Sequence, residues 1–150
     1  MLRKLILWSL TLLTAGVIFF FSSQSAAASS AVSEEFTQGL LDSLLAFLKL
    51  TAEQQEIAHE LIRSTAHIVL FVLLGLFTSL LVRCYTFKHW VVITALSCVG
   101  YALLDECHQQ WFSAGRAFEL ADIAKDSFGV FLGMITVVLW YRLKQQKKGI

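Results

Sequence analysis

The sequence predicts an all-α protein: a four-helix transmembrane bundle with an amphipathic helix on its outer side. Three observations carry that expectation. Of 150 residues 57% are hydrophobic, and the mean hydropathy is +0.67. Soluble domains average about 45–50% apolar residues, and a chain this short cannot bury the excess. The apolar residues also gather in four long runs, each approaching the ~20 residues that cross ~30 Å of hydrocarbon. Finally, basic and acidic side chains segregate to alternate ends of those runs.

The first span is expected at about 5–22, behind Arg3 and Lys4. Arg3-Lys4, an apolar run and Ala26-Ala27-Ala28 also fit a signal peptide. The run Leu5–Phe21 is 17 residues long, beyond the usual 7–15 of such a peptide, so a retained helix is expected. From Ser22 to Ser33 the chain is rich in Ser and Ala, without a hydrophobic period. Phe36, Leu40, Leu41, Leu44, Leu45, Phe47 and Leu48 then recur at helical spacing opposite Glu35, Gln38 and Asp42. That pattern predicts an outer amphipathic helix at about 34–50, lying on the membrane surface or across the bundle.

Thr51-x-x-Gln54 is a capping box for a helix that starts outside the bilayer and continues into the second span, about 64–83. The third span is expected at about 89–106 and the fourth at about 121–142. Both have short uncharged cores, which fits polar ends that face protein instead of lipid. No proline interrupts any of them. The whole of 1–150 reads as a single membrane domain.

Charge sets the orientation. With a cytoplasmic N-terminus, the inner side holds Arg3, Lys4, Arg83, Lys88, Arg142, Lys144, Lys147 and Lys148, eight of the twelve basic residues. All eleven acidic residues then fall on or near the outer side. By the positive-inside rule both termini are cytoplasmic, and the expected location is the cytoplasmic (inner) membrane. Trp8, Trp90 and Trp140 stand at the inner boundary and Trp111 at the outer one. A net charge of +1 without a basic stripe gives no reason to expect a nucleic-acid partner. Cys84, Cys98 and Cys107 form no C-x-x-C pair; the two inside apolar runs read as small buried residues, while Cys107 lies among polar residues.

Two polar clusters carry the chemistry. On the second helix Arg63 and His67 are four apart and share a face with Glu60, which Gly75 and Thr78 extend. The third helix closes with Asp105, Glu106, His108 and Gln109, with Tyr101 one turn deeper; Arg116 follows in the next connection. On the fourth, Asp122, Asp126, Gly129 and Gly133 form one stripe, and the Gly-x-x-x-Gly spacing lets another helix approach closely. That points both aspartates inward. An outward-open polar pocket of Arg63, His67, Asp105, Glu106, His108, Gln109, Arg116, Asp122 and Asp126 is the expected ligand-binding site, against the plainer reading of a structural cap of salt bridges.

These residues resemble the VanZ-like family of small membrane proteins, named for a teicoplanin-resistance protein. The matching elements are Phe21-Ser22-Ser23-Gln24, Arg63-x-x-x-His67 with Leu74-Gly75, Asp105-Glu106-x-His108-Gln109, Gly115-Arg116, and Asp122-x-x-x-Asp126-x-x-Gly129-x-x-x-Gly133. Ala114, Ser64 and Asp126 depart from it, where the family often has proline, a basic residue and asparagine. The resemblance implies a multi-pass membrane protein linked to glycopeptide or cell-envelope phenotypes.

Four functions are weighed. The first is binding of an envelope ligand, lipid-linked or glycopeptide, through the arginines and histidines, because guanidinium forks match phosphate and carboxylate. The alternative is an enzyme acting on a lipid-linked substrate, with His108 as general base oriented by Asp105. No nucleophile elbow, phosphate loop or H-E-x-x-H accompanies that pair. A metal site of Asp105, His108, His67 and a fourth-helix aspartate lacks the two Glu-x-x-His repeats of a di-iron bundle; neither metal nor cofactor is expected. A transporter would need a continuous polar path, which the four spans do not offer.

Overall fold

The computed structural model describes residues 1–23, 51–86, 88–112 and 118–147, and of 52, 53, 55, 56, 58–60, 62 and 63 the backbone alone. Four helices result: α1 (Leu2–Ser22), α2 (Ala52–Arg83), α3 (Trp90–Phe112) and α4 (Leu120–Gln146). All four are long and apolar enough to cross a membrane. The outer amphipathic helix expected at 34–50 lies outside the described residues.

Thr51 starts the longest helix as its sequence requires. The Thr51 hydroxyl accepts from the Gln54 amide at 3.4 Å, and Thr51 N donates to Gln54 Oε1 at 3.0 Å. Two donors that the helix start would orphan are thereby satisfied. α2 then runs without a break to Arg83, so its first three turns precede the apolar window that begins at Ser64.

Alternating helix direction gathers the ends of the bundle into two groups. The start of α1, the end of α2, the start of α3 and the end of α4 lie together, as Arg3 donating to Tyr141 Oη at 3.3 Å and Trp8 Nε1 donating to Tyr85 Oη at 3.1 Å demonstrate. At the opposite end Ser22 of α1 meets Asp105 and Gln109 of α3, and His67 of α2 meets Asp126 of α4.

The interior is small and partly polar, while large apolar side chains face outward, the inverse of a water-soluble core. Ile18, Phe71, Leu74, Cys98, Ala102, Val130 and Met134 pack centrally, one or more from each helix. Leu12, Phe20, Leu96, Leu104, Phe128 and Leu139 are exposed, a surface that only lipid or other protein can cover. Thr14, Ser79 and Thr136 return their hydroxyls to the carbonyls of Leu10, Gly75 and Leu132 at 2.6–2.9 Å. Such bonds let hydroxyls sit in a water-free bundle.

The most extensive interhelical contact joins α2 and α4, and glycine creates it. A Cβ on Gly129 would come within 2.7 Å of the Ile68 carbonyl oxygen; on Gly133 it would come within 2.7 Å of Leu76 N. From the other side, a Cβ on Gly75 would approach the Val130 carbonyl oxygen to 2.5 Å. The obstructing atoms are backbone, which cannot move aside. Gly133→Val is therefore expected to destabilise the bundle by about 3 kcal/mol or more. Gly100→Ala, with open space around it, should leave thermal unfolding in detergent unchanged.

Candidate functional site

Because α1 and α3 end, and the span of α2 and α4 begin, on the same side of the bundle, four helices deliver polar side chains to one place. Every third or fourth residue of the last turns of α3 faces inward, which buries Asp105, Glu106 and Gln109 together with Ala102. Asp105 is 4% exposed, Glu106 2% and Asp126 3%. Three carboxylates so far from water require donors or cations beside them.

Asp105 finds two donors on one oxygen. Ser22 Oγ donates to its Oδ2 at 2.7 Å, and Gln109 Nε2 donates to the same atom at 2.8 Å. Gln109 Nε2 also reaches Ser22 Oγ at 3.3 Å, closing a triangle between α1 and α3. The second oxygen, Oδ1, is buried without a hydrogen-bond partner among the described residues. Just beneath, Tyr101 donates to the Ala15 carbonyl at 2.7 Å and ties the same two helices again.

Glu106 does different work. Its Oε1 accepts from the backbone N–H of Glu119 at 2.7 Å, the residue that caps α4 without a side-chain bond of its own. A carboxylate at a helix start satisfies an orphan donor and complements the helix dipole, so Glu106 fastens α4 to the end of α3. His67 faces Asp126 across the α2–α4 contact, with Nδ1 3.1 Å from Oδ1. Phe71 lies one turn below, its ring centroid 5.6 Å from the imidazole.

His108 does not pair with Asp105 among the described contacts. Its ring instead lies 4.6 Å from Phe19 and is stacked at 5.1 Å on Phe112. Its Nδ1 is buried without a hydrogen-bond partner among the described residues. The dyad that a general base would need is therefore not formed. Asp122 also departs from the inward stripe: it bonds Lys125 Nζ at 2.7 Å, with both side chains about 40% exposed. At the first turn of α4 the stripe already reaches the rim, where water or headgroups satisfy a charge more cheaply than burial does. Arg63 stands one turn before His67 on the α2 backbone, and Arg116 lies outside the described residues. Among the described residues no three His, Cys, Asp or Glu side chains group as a metal site.

Ser22 is the residue that the polar-cluster reading missed. Its signal was present: a serine at the close of an apolar run, within the Phe21-Ser22-Ser23-Gln24 element.

Fold and site together define a multi-pass membrane protein with a buried polar cluster at one end of a four-helix bundle. The family model for VanZ/LLP1 matches residues 7–141, and the chain belongs to that family. No curated protein and no solved structure matches it.

The two ion-pair positions of α4 should behave differently. Asp126→Asn preserves an acceptor for His67 and is expected to be tolerated. Asp126→Ala removes that acceptor beside the glycine contact and should cost about 1–3 kcal/mol. Lys125→Ala breaks a half-exposed pair worth at most about 1 kcal/mol. Thermal unfolding of the three variants in one detergent checks the order.

Proposed function

We propose that the polar end of the bundle faces outward and binds a cell-envelope ligand, lipid-linked or glycopeptide, in a role linked to teicoplanin-type resistance. The observation that carries this reading is Asp105. Two donors hold one oxygen while the other is buried and unmatched among the described residues. An unmatched buried acceptor costs about 1–3 kcal/mol, more when charged, and a cost retained in a folded protein calls for a cause. A ligand hydroxyl or ammonium would meet it. Lipid-linked saccharides and glycopeptides offer both groups.

His108 adds a second unmatched atom, one turn further along α3, and Phe19 and Phe112 give it an apolar surround. Arg63 and Arg116 would supply the anion-binding half of the site, for a phosphate or carboxylate. Membership of VanZ/LLP1 supports the link to glycopeptides at the level of the family. The basic end would then face the cytoplasm, with both termini inside, in the inner membrane.

Cells exposed to teicoplanin and vancomycin test the reading, with membrane levels matched between variants. Asp105→Asn, His108→Ala and Arg116→Ala are expected to lower survival in teicoplanin to that of cells without the protein, whereas Lys125→Ala keeps it. Equal survival in all four overturns the site. Orientation has its own check. In a chain whose native cysteines are replaced by serine, Gln146→Cys should react with an impermeant maleimide only after the cells are permeabilised.

A further inference from the structure

The opposite end of the bundle is built from cations and aromatic rings, and it plays no part in the reading above. Arg3 Nη2 donates to Tyr141 Oη at 3.3 Å, while the Arg83 guanidinium lies 3.6 Å from the centroid of that same ring and 5.3 Å from Trp90. Lys4 Nζ sits 4.1 Å over Tyr85, whose hydroxyl accepts from Trp8 Nε1 at 3.1 Å. Lys144 is 5.3 Å from the Trp140 ring. Residues from α1, the end of α2, the start of α3 and the end of α4 thus share one patch.

Among the described residues at this end no Asp or Glu side chain balances the charge. Residues 1–33, 61–104 and 127–150 contain no Asp or Glu, and the acidic side chains among the described residues gather at the other end. Aromatic faces hold the cations through the π system, which positions a guanidinium without neutralising it. Arg3 commits one N–H to Tyr141, and its remaining donors have no acceptor among the described residues. Exposed Arg142 and Lys147 add to the field.

We infer that this end is a binding site for the phosphate headgroup of an anionic phospholipid, with Arg3, Lys4 and Arg83 as its cations and Tyr85 and Tyr141 as their supports. Three features favour a lipid over other anions. The patch lies at the ends of helices long and apolar enough to cross a membrane, beside Trp8, Trp90 and Trp140, residues of the kind that form an interfacial aromatic girdle. Guanidinium groups match phosphate oxygens in geometry as well as charge. Exposed Leu5 of α1 and Leu139 and Leu143 of α4 provide apolar surface for the acyl chains. A basic pocket among helix ends at the membrane surface recognises lipid headgroups in just this manner. A merely diffuse attraction would depend on the number of charges and not on which ones are held by rings.

The full chain, purified in a neutral detergent and mixed with equal amounts of phosphatidylglycerol and phosphatidylcholine, tests this by native mass spectrometry. Retention of phosphatidylglycerol over phosphatidylcholine is expected for wild type. Arg3→Gln should lower it about fivefold, as expected for loss of one surface charge near a headgroup, and Arg3→Gln combined with Arg83→Gln should abolish it. Lys147→Gln, an equal change of charge away from the rings, should have little effect. Arg3→Lys, which keeps charge but loses the fork, should retain most of it, so that loss in Arg3→Gln is not mistaken for unfolding. Equal loss in Lys147→Gln and Arg3→Gln, or no preference in wild type, overturns the site. Displacement of phosphatidylglycerol by millimolar inorganic phosphate alone, with equal protection against heat, would show a free-anion site and overturn the lipid assignment.

Discussion

The approach of α2 to α4 governs the rest of the molecule. At Gly75, Gly129 and Gly133 the two backbones lie so close that a single methyl group would strike main-chain atoms of the neighbour. In lipid no hydrophobic effect presses helices together, and close packing of small residues supplies much of the association. Here the contact also sets distances at its outer margin. His67 and Asp126 lie one turn or less beyond it, and they meet at 3.1 Å only because the helices beneath them nearly touch. A bulky pair at the glycine positions would hold the helices several ångströms apart and leave both polar groups stranded.

From that contact the two ends of the bundle develop opposite chemistry. At one end carboxylates are buried, and each is answered locally: Asp105 by a hydroxyl and an amide, Glu106 by a helix N–H, Asp126 by an imidazole. At the other, cations lie over tyrosine and tryptophan at the helix ends. The difference follows from the side chains themselves. A carboxylate is short and must bring its donors to it, whereas arginine and lysine have long apolar stems that reach the interface. Burial of charge therefore concentrates at the acidic end, at Asp105, Glu106 and Asp126.

Much of this was legible in the chain. Apolar runs located the four spans, Thr51 and Gln54 located the start of α2, and the spacing of Asp126, Gly129 and Gly133 located the buried face of α4. What escaped was the rotation of α1 and α3 against each other, for no single-helix pattern encodes it. Asp105 and His108 are three apart and share a face in outline. Ser22, contributed by a helix 83 positions earlier, takes the carboxylate instead, and His108 turns to Phe19 and Phe112. Asp122 is on the right stripe but one turn too near the rim to be buried, and Lys125 is within reach there. Glu106, counted with the pocket from its place in the chain, gives one oxygen to the start of α4, a contact no single-helix pattern shows.

Separate helices share one polar network at the acidic end. A double-mutant cycle between Ser22→Ala and Asp105→Ala, read by reversible unfolding of the full chain in detergent, measures it most directly. The single substitutions and the double should be non-additive by about 1–2 kcal/mol, the range of interhelical hydrogen bonds that involve a buried charge. Additivity within about 0.3 kcal/mol would mean that α1 and α3 do not meet through these groups, and would contradict the account.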